Sequence, residues 1–240
     1  MVDQPIGILC ALKDEIAKIL ELINDPVEES VGRRIYIKGT INGKKVVAVY
    51  SAWGKVAVAV TALTLIRQFN VSKIVMIGVA GALQSQVKVG DIIISKNLFQ
   101  HDFDPRPSEK RFVLPILNVA HLPANEELIK VAKHTIEKVL PNLKPFKDQI
   151  NCYESDIATG DRIVTTIEAR QEIHNLLPST YCVDMESAAL AQVCLEEKIP
   201  FVVIRGISDD LISLKFEFQY IRDHWQDNAK IIINEMMNYI

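Results

Sequence analysis

Short apolar runs alternate with helical periodicity along almost the whole chain, and that alternation leaves few folds open. Residues 5–11, 73–79, 91–99, 149–158, 180–183 and 201–207 read as strands, several apolar enough for burial on both faces. Residues 13–23, 56–69, 125–139, 165–176 and 185–197 read as helices, and another begins near Phe218 and continues through Trp225, Ile232 and Met236. The first carries Ile16, Ile19, Leu20 and Ile23 on one face, and the second reads as buried on most sides. Asn42-Gly43 between the β-rich runs 34–41 and 44–51 signals a tight hairpin, because both residues tolerate positive φ. Thr165 with Glu168 fits a capping box. Residues 180–207 read as a βαβ unit with parallel strands, and 78–81 as a glycine turn closing the strand before it. Pro105, Pro107, Pro115 and Pro123 keep residues 101–123 irregular. The expectation is a single α/β domain over residues 1–240, with a central mixed β-sheet flanked by helices.

Charge narrows the class of partner. With 27 basic against 30 acidic residues the formal net charge is −3, and no basic run marks a nucleic-acid footprint. Cys10, Cys152, Cys182 and Cys194 show no C-x-x-C spacing and read as small buried apolar residues of a reducing compartment. The N-terminus lacks a basic head before an apolar stretch, and Trp53-Gly54-Lys55 interrupts the apolar segment 46–66. A cytoplasmic protein with a pocket for a small molecule is expected, without membrane or nucleic-acid contact.

In open α/β sheets ligands sit beyond the carboxyl ends of the strands. Acidic residues gather there: Asp14 and Glu15 after the first strand, Asp184 and Glu186 after 180–183, Asp209 and Asp210 after 201–207. Converging carboxylates suit acid–base chemistry. First-turn helix stabilisation by itself explains Asp14, Asp184 and Glu186 taken singly; their joint placement after separate strands favours a site.

Three segments carry a family resemblance. Residues 6–15 (IGILCALKDE), 183–189 (VDMESAA) and 201–209 (FVVIRGISD) resemble the methylthioadenosine/S-adenosylhomocysteine nucleosidases of the nucleoside phosphorylase superfamily. Weaker similarity covers Gly54-Lys55-Val56, residues 78–83, Val89-Gly90-Asp91 and Thr159-Gly160-Asp161. The resemblance implies a nucleoside phosphorylase-like fold and hydrolysis of an N-glycosidic bond without cofactor or metal. It makes Asp209 the acid that protonates N7 of adenine, held by Ser208, and Glu15 the base that activates water. Glu186 takes the ribose hydroxyls, Met185 packs on the sugar, and the Val164 backbone meets the adenine edge, while Gly78 and Gly81 let the backbone approach the ligand closely. Arg205 either orients water or forms a plain ion pair. Trp53 either lines the sugar side or is a core residue of a hairpin turn. Val79 stands where relatives usually carry Ser, and Ile163 where they carry an aromatic that stacks on adenine. The resemblance further implies a homodimer, with residues 101–123, Phe112 among them, completing the neighbour's pocket.

Other readings stay open. A purine nucleoside phosphorylase needs cations around phosphate, yet Met76 and Val79 stand where related phosphorylases place Arg and Ser; Arg33 and Arg34 read as solvated charges. A non-catalytic nucleoside-binding or storage protein would not need a proton donor, and a futalosine-type nucleosidase is separable only by substrate. His101-Asp102-Phe103-Asp104 lacks a second histidine spaced for a metal and reads as a loop network. Gly78-Val79-Ala80-Gly81 is not a dinucleotide fingerprint.

Overall fold

The computed structural model describes residues 4–146, 149–211 and 224–240. Its centre is a ten-stranded mixed sheet. The strands are β1 (Ile6–Cys10), β2 (Asn24–Val31), β3 (Arg34–Ile41), β4 (Lys44–Tyr50), β5 (Lys73–Ala82), β6 (Ile92–Gln100), β7 (Leu122–Pro123), β8 (Cys152–Thr159), β9 (Thr180–Asp184) and β10 (Phe201–Asp209). The helices are α1 (Lys13–Leu20), α2 (Lys55–Arg67), α3 (Glu126–Val139), α4 (Ile167–Leu176), α5 (Ser187–Glu196) and α6 (Gln226–Met236). This is the expected α/β architecture. Phe218, expected on the C-terminal helix, lies outside the described residues.

Alternation along β5 shows how the layers form. Val75 and Ile77 face the apolar cluster under α1, α3 and α6, while Ile74 and Met76 face the one under α2 and α5. Trp225, fully buried just before α6, lies against Gly206 of β10 so closely that a Cβ there would come within 2.2 Å of the ring. Asn42-Gly43 turns the β3–β4 hairpin with φ of 49° and 77°, as the dipeptide predicts.

The sheet departs from the sequence reading in one important respect. β5 pairs with β10 in parallel and with the end of β9 antiparallel, through Gly81–Val183 and Ala82–Cys182. β10, β6, β8, β9 and β5 therefore join edge to edge into a closed ring. β9 and β10 run in opposite directions across it, so residues 180–207 are not a parallel βαβ unit. Nor do residues 78–81 form a turn; β5 continues through them to Ala82. β2 is an added edge strand whose residues are nearly all exposed. α4 begins one residue later than the capping-box reading: Thr166 is the N-cap and accepts the Ala169 N–H at 3.2 Å. α2 is less buried than its composition suggests, because Val56, Val60 and Leu63 form an exposed apolar face. Among the described residues no helix is long and apolar enough to cross a membrane.

Trp225 joins α6 to the sheet through its ring alone, since its indole nitrogen has no partner among the described residues. Trp225→Ala should lower the unfolding free energy by about 3–5 kcal/mol, measured by urea denaturation.

Candidate active site

The carboxyl ends of β1, β5 and β10 meet the oppositely running end of β9, and a cavity of about 340 Å³ opens there. Glu15 of α1 reaches it from one side, and Val79 and Gly81 of β5 form its floor. Ser208 and Asp209 enter from the end of β10, Met185 and Glu186 from between β9 and α5. Ile163 and Val164, ahead of α4, and Trp53, after β4, complete the predicted set. Arg205 alone among the expected residues is not on the wall; it lies fully buried behind it.

Glu15 shows why a helix-start acid need not be an ordinary one. One carboxylate oxygen accepts the N–H groups of Ala11 and Leu12, at 2.9 and 2.8 Å, and so serves the start of α1. The other accepts the Val79 N–H of β5 at 2.8 Å. The side chain is thus locked across two elements while still lining the cavity. Burial raises its pKa, with Arg205 and the three N–H groups opposing the shift.

Behind the wall, Arg205 Nε donates to Asp184 at 2.9 Å, and Nη2 donates to Ser187 Oγ at 2.9 Å and to Glu186 at 3.5 Å. Asp184 also accepts from Thr159 Oγ1 at 2.6 Å, the Ser187 hydroxyl, and the N–H groups of Glu186 and Ser187 at 3.2 Å. This arrangement fixes the backbone from which Glu186 projects. Burial pushes the Glu186 carboxyl up to about 7, with Arg205 opposing it. Its Oε1 accepts the Gly54 N–H at 3.1 Å.

Asp209 has a partner that the sequence did not disclose. Arg170 of α4 forms a buried ion pair with its Oδ2 and also donates to the carbonyls of Ala82, at 2.9 Å, and Val164, at 3.3 Å. Ser208 Oγ donates to Asp209 Oδ1 at 2.8 Å. Burial raises the Asp209 pKa despite the guanidinium. The glycines of β5 permit these contacts. A Cβ at Gly78 would lie 2.4 Å from Arg205 Nη1 and 2.7 Å from Glu15 Oε1; one at Gly81 would lie 2.7 Å from Asp209 Oδ2. The close approach expected there is to the protein's own charged groups.

Two further expectations change. Trp53 is 53% exposed at the cavity mouth, so it is not a core residue, and Ile163 is 59% exposed beside it. Arg34 is no solvated charge: it donates to the carbonyls of Ser51 and Ala57 and braces the loop that carries Trp53. The residues after β6 do form a network, with Asp102 accepting from Lys55 Nζ at 2.7 Å and the Asp161 N–H at 2.9 Å. Among the described residues no group of three His, Cys, Asp or Glu could hold a metal.

A family model described as the phosphorylase superfamily matches residues 5–238. The chain belongs to that superfamily. It is 32% identical over 208 residues to the 5′-methylthioadenosine/S-adenosylhomocysteine nucleosidase of Staphylococcus haemolyticus, covering 85% of this chain and 86% of that one. The same kind of nucleosidase from Colwellia psychrerythraea 34H, solved in complex with adenine, is similar at 31% identity with a TM-score of 0.87, covering 98% of this chain and 95% of that one. Futalosine hydrolase of Helicobacter pylori is similar at 29% identity with a TM-score of 0.88, covering 99% of each chain.

Two outcomes follow for this superfamily member. Arg170→Gln leaves Asp209 buried without its cation and should cost about 3–5 kcal/mol. The same change made in an Asp209→Asn background should cost far less, so a double-mutant cycle in denaturant reads the pair. Glu186 keeps its proton to about 7 when folded but releases it near 4.5 when unfolded. Its contribution is therefore fully present below about 4.5 and is lost as pH rises through about 7. Across that window the wild type should lose on the order of 2–3 kcal/mol relative to Glu186→Gln, measured by unfolding at a series of pH values.

Proposed function

We propose that the protein hydrolyses the N-glycosidic bond of 5′-methylthioadenosine, S-adenosylhomocysteine or both, releasing adenine and the thioribose. The observation that carries this reading is that Glu15, Glu186 and Asp209, far apart in sequence, line one cavity of a size suited to a nucleoside. The relatives named above supply the substrate class.

In this reading the base lies at the Asp209 end and the sugar on Met185 and Glu186. Asp209, protonated, gives its proton to N7 while the C1′–N9 electron pair moves into the purine. Positive charge grows on the ribose, facing the Glu15 and Glu186 carboxylates. Glu15 takes a proton from water as its oxygen bonds to C1′. Arg170 and Ser208 steady the carboxylate that Asp209 becomes. Arg205, held behind the wall by Asp184 and Ser187, positions Glu186 rather than touching the nucleoside.

Water is favoured over phosphate as the nucleophile because, among the described residues, the cavity offers little to an anion. Arg205 is buried behind it, and Arg34 is bonded to backbone carbonyls. Among the described lining residues the one cation is Arg162, which reaches Glu172 at 3.5 Å. The carboxylates and Arg170 also weigh against a mere binding or storage role, since binding needs no buried proton donor.

The assembly is proposed to be a homodimer in the cytoplasm, serving methionine salvage. The exposed apolar face of α2, with Trp53 and with Ile116 of the 101–123 segment, supports association between copies. Phe112 packs partly against the Leu83 and Val164 cluster of its own chain, so Ile116 is the better contact. The free cysteines fit a reducing compartment.

Adenine release from methylthioadenosine should proceed equally with and without phosphate, followed by chromatography of base and sugar. Asp209→Asn should lower kcat by roughly 10²–10⁴-fold while the fold, followed by circular dichroism, is retained. Strict phosphate dependence with ribose 1-phosphate formed, or full activity in the variant, would reject the reading.

A further inference from the structure

Helix α2 starts without a cap of its own. Its N-cap residue is Gly54, at φ of 92°, and no acidic residue stands in its first turn. Other elements supply acceptors for its first amides. Glu186 Oε1 accepts the Gly54 N–H at 3.1 Å, and Asp161 Oδ1 accepts the Lys55 N–H at 2.8 Å. Successive amides of one helix start thus hold a carboxyl of the cavity wall and a carboxyl from the segment that leads into Ile163 and Val164.

The second of these contacts belongs to a closed ring. The Lys55 N–H donates to Asp161, the Asp161 N–H donates to Asp102 Oδ2 at 2.9 Å, and Lys55 Nζ donates to Asp102 Oδ1 at 2.7 Å. Three hydrogen bonds begin and end on Lys55. Its ammonium also donates to Gln100 Oε1 at 3.2 Å. Burial opposes charge on Asp102, yet the ammonium and the Asp161 N–H hold its carboxyl below the usual carboxylate range. Behind the ring, His101 packs so tightly on Gly160 that a Cβ there would lie 2.2 Å from Nε2. Residues 54–55, 100–102 and 160–161 are thereby tied into one unit.

Lys55, Asp102 and Asp161 are all set back from the cavity wall. What the ring can reach is Glu186. That carboxyl has Arg205 Nη2 on Oε2 at 3.5 Å and the Gly54 N–H on Oε1 at 3.1 Å, so the amide is the nearer anchor. Gly54 is followed directly by Lys55, and a glycine fixes little by itself. The ring on its neighbour holds that amide in place.

We infer that Lys55 is a positioning residue for ribose recognition: through its ring with Asp102 and Asp161 it fixes the Gly54 N–H, and so the angle at which Glu186 meets the ribose hydroxyls. The inference rests on the nucleosidase reading, in which Glu186 accepts from those hydroxyls, and deepens it. Lys55 touches neither sugar nor base, so its effect on hydroxyl recognition passes through Glu186.

The test uses three substrates: methylthioadenosine and its 2′-deoxy and 3′-deoxy counterparts, with adenine release measured. The readout is the ratio of kcat/KM for methylthioadenosine to that for each deoxy counterpart, a quantity independent of the fraction of enzyme folded. Lys55→Met should lower the ratio for the hydroxyl that Glu186 accepts by about threefold to tenfold. Asp161→Ala breaks the ring at another link and should do the same. Asp161→Asn keeps an acceptor for the Lys55 N–H and should stay within about twofold of wild type. In a Glu186→Gln background, Lys55→Met should move neither ratio by more than about twofold; a further drop there overturns the positioning role. A merely structural lysine would lower all three kcat/KM values together and leave the ratios alone. Ratios within about twofold of wild type in both Lys55→Met and Asp161→Ala overturn the inference while leaving the nucleosidase reading intact. A wild type that releases adenine from none of the three overturns both.

Discussion

Everything at the site depends on how charge is balanced behind the cavity wall. Four buried carboxyl groups, those of Glu15, Asp184, Glu186 and Asp209, face two buried guanidinium groups, those of Arg170 and Arg205. Asp184 and Arg205 neutralise one another within hydrogen-bond distance, and Arg170 answers Asp209. Glu15 and Glu186 are left sharing what remains of the Arg205 field. Buried carboxylates without full compensation hold protons more tightly. The same shortage makes the cavity receptive to positive charge, which is what a ribosyl group acquires as its bond to a purine breaks. A surplus of acid among the buried groups is therefore the source of the fit to the reaction proposed.

Those charges can be crowded together only because of what surrounds them. The closed ring of β10, β6, β8, β9 and β5 brings strand ends from opposite directions to one place, so acids that are distant in sequence become neighbours. Within the ring, β5 lacks side chains at Gly78 and Gly81, where Glu15, Arg205 and Asp209 pass. The carboxylates are held by backbone donors and by guanidinium groups that are themselves buried. They are fixed before any ligand arrives, which is the condition for preorganised electrostatics.

How much of this was legible in the sequence varied with how local the cause was. Asn42-Gly43 announced its hairpin because the turn is a property of two residues. Glu15, Glu186 and Asp209 were legible because each follows an apolar strand, and strand ends are where sites form. Arg170 was not: it sits mid-helix among Glu168, Gln171 and Glu172, where an arginine looks solvated, and its burial follows from the face α4 turns inward. The direction of β9 was hidden for a similar reason, since a strand–helix–strand pattern does not record that the sheet closes on itself. β2 is polar and exposed along its length, so it carries no hydrophobic alternation; pairing with β3 alone makes it a strand. Trp53 was left between the cavity wall and the core because tryptophan suits both, and the left-handed backbone at Ala52 beside it is visible only in three dimensions.

Val79, Ile163 and Trp53 divide between the buried wall of the cavity and its exposed mouth. Val79 contributes to the site through its N–H, which Glu15 accepts at 2.8 Å, and any residue but proline would supply that donor. The side chain at 79 shapes the wall of the cavity without loosening Glu15. Ile163 and Trp53 stand at the mouth, more than half exposed and remote from the Arg170 and Arg205 pairs. An aliphatic side chain at 163 offers contact where an aromatic would offer stacking, and an indole at 53 adds apolar surface to the mouth. The buried carboxyl and guanidinium groups thus stand apart from the exposed side chains of the rim. The rim loop is tied to Glu186 through the backbone N–H of Gly54, at 3.1 Å, so the side chain at 53 can change while that carboxyl keeps its donor.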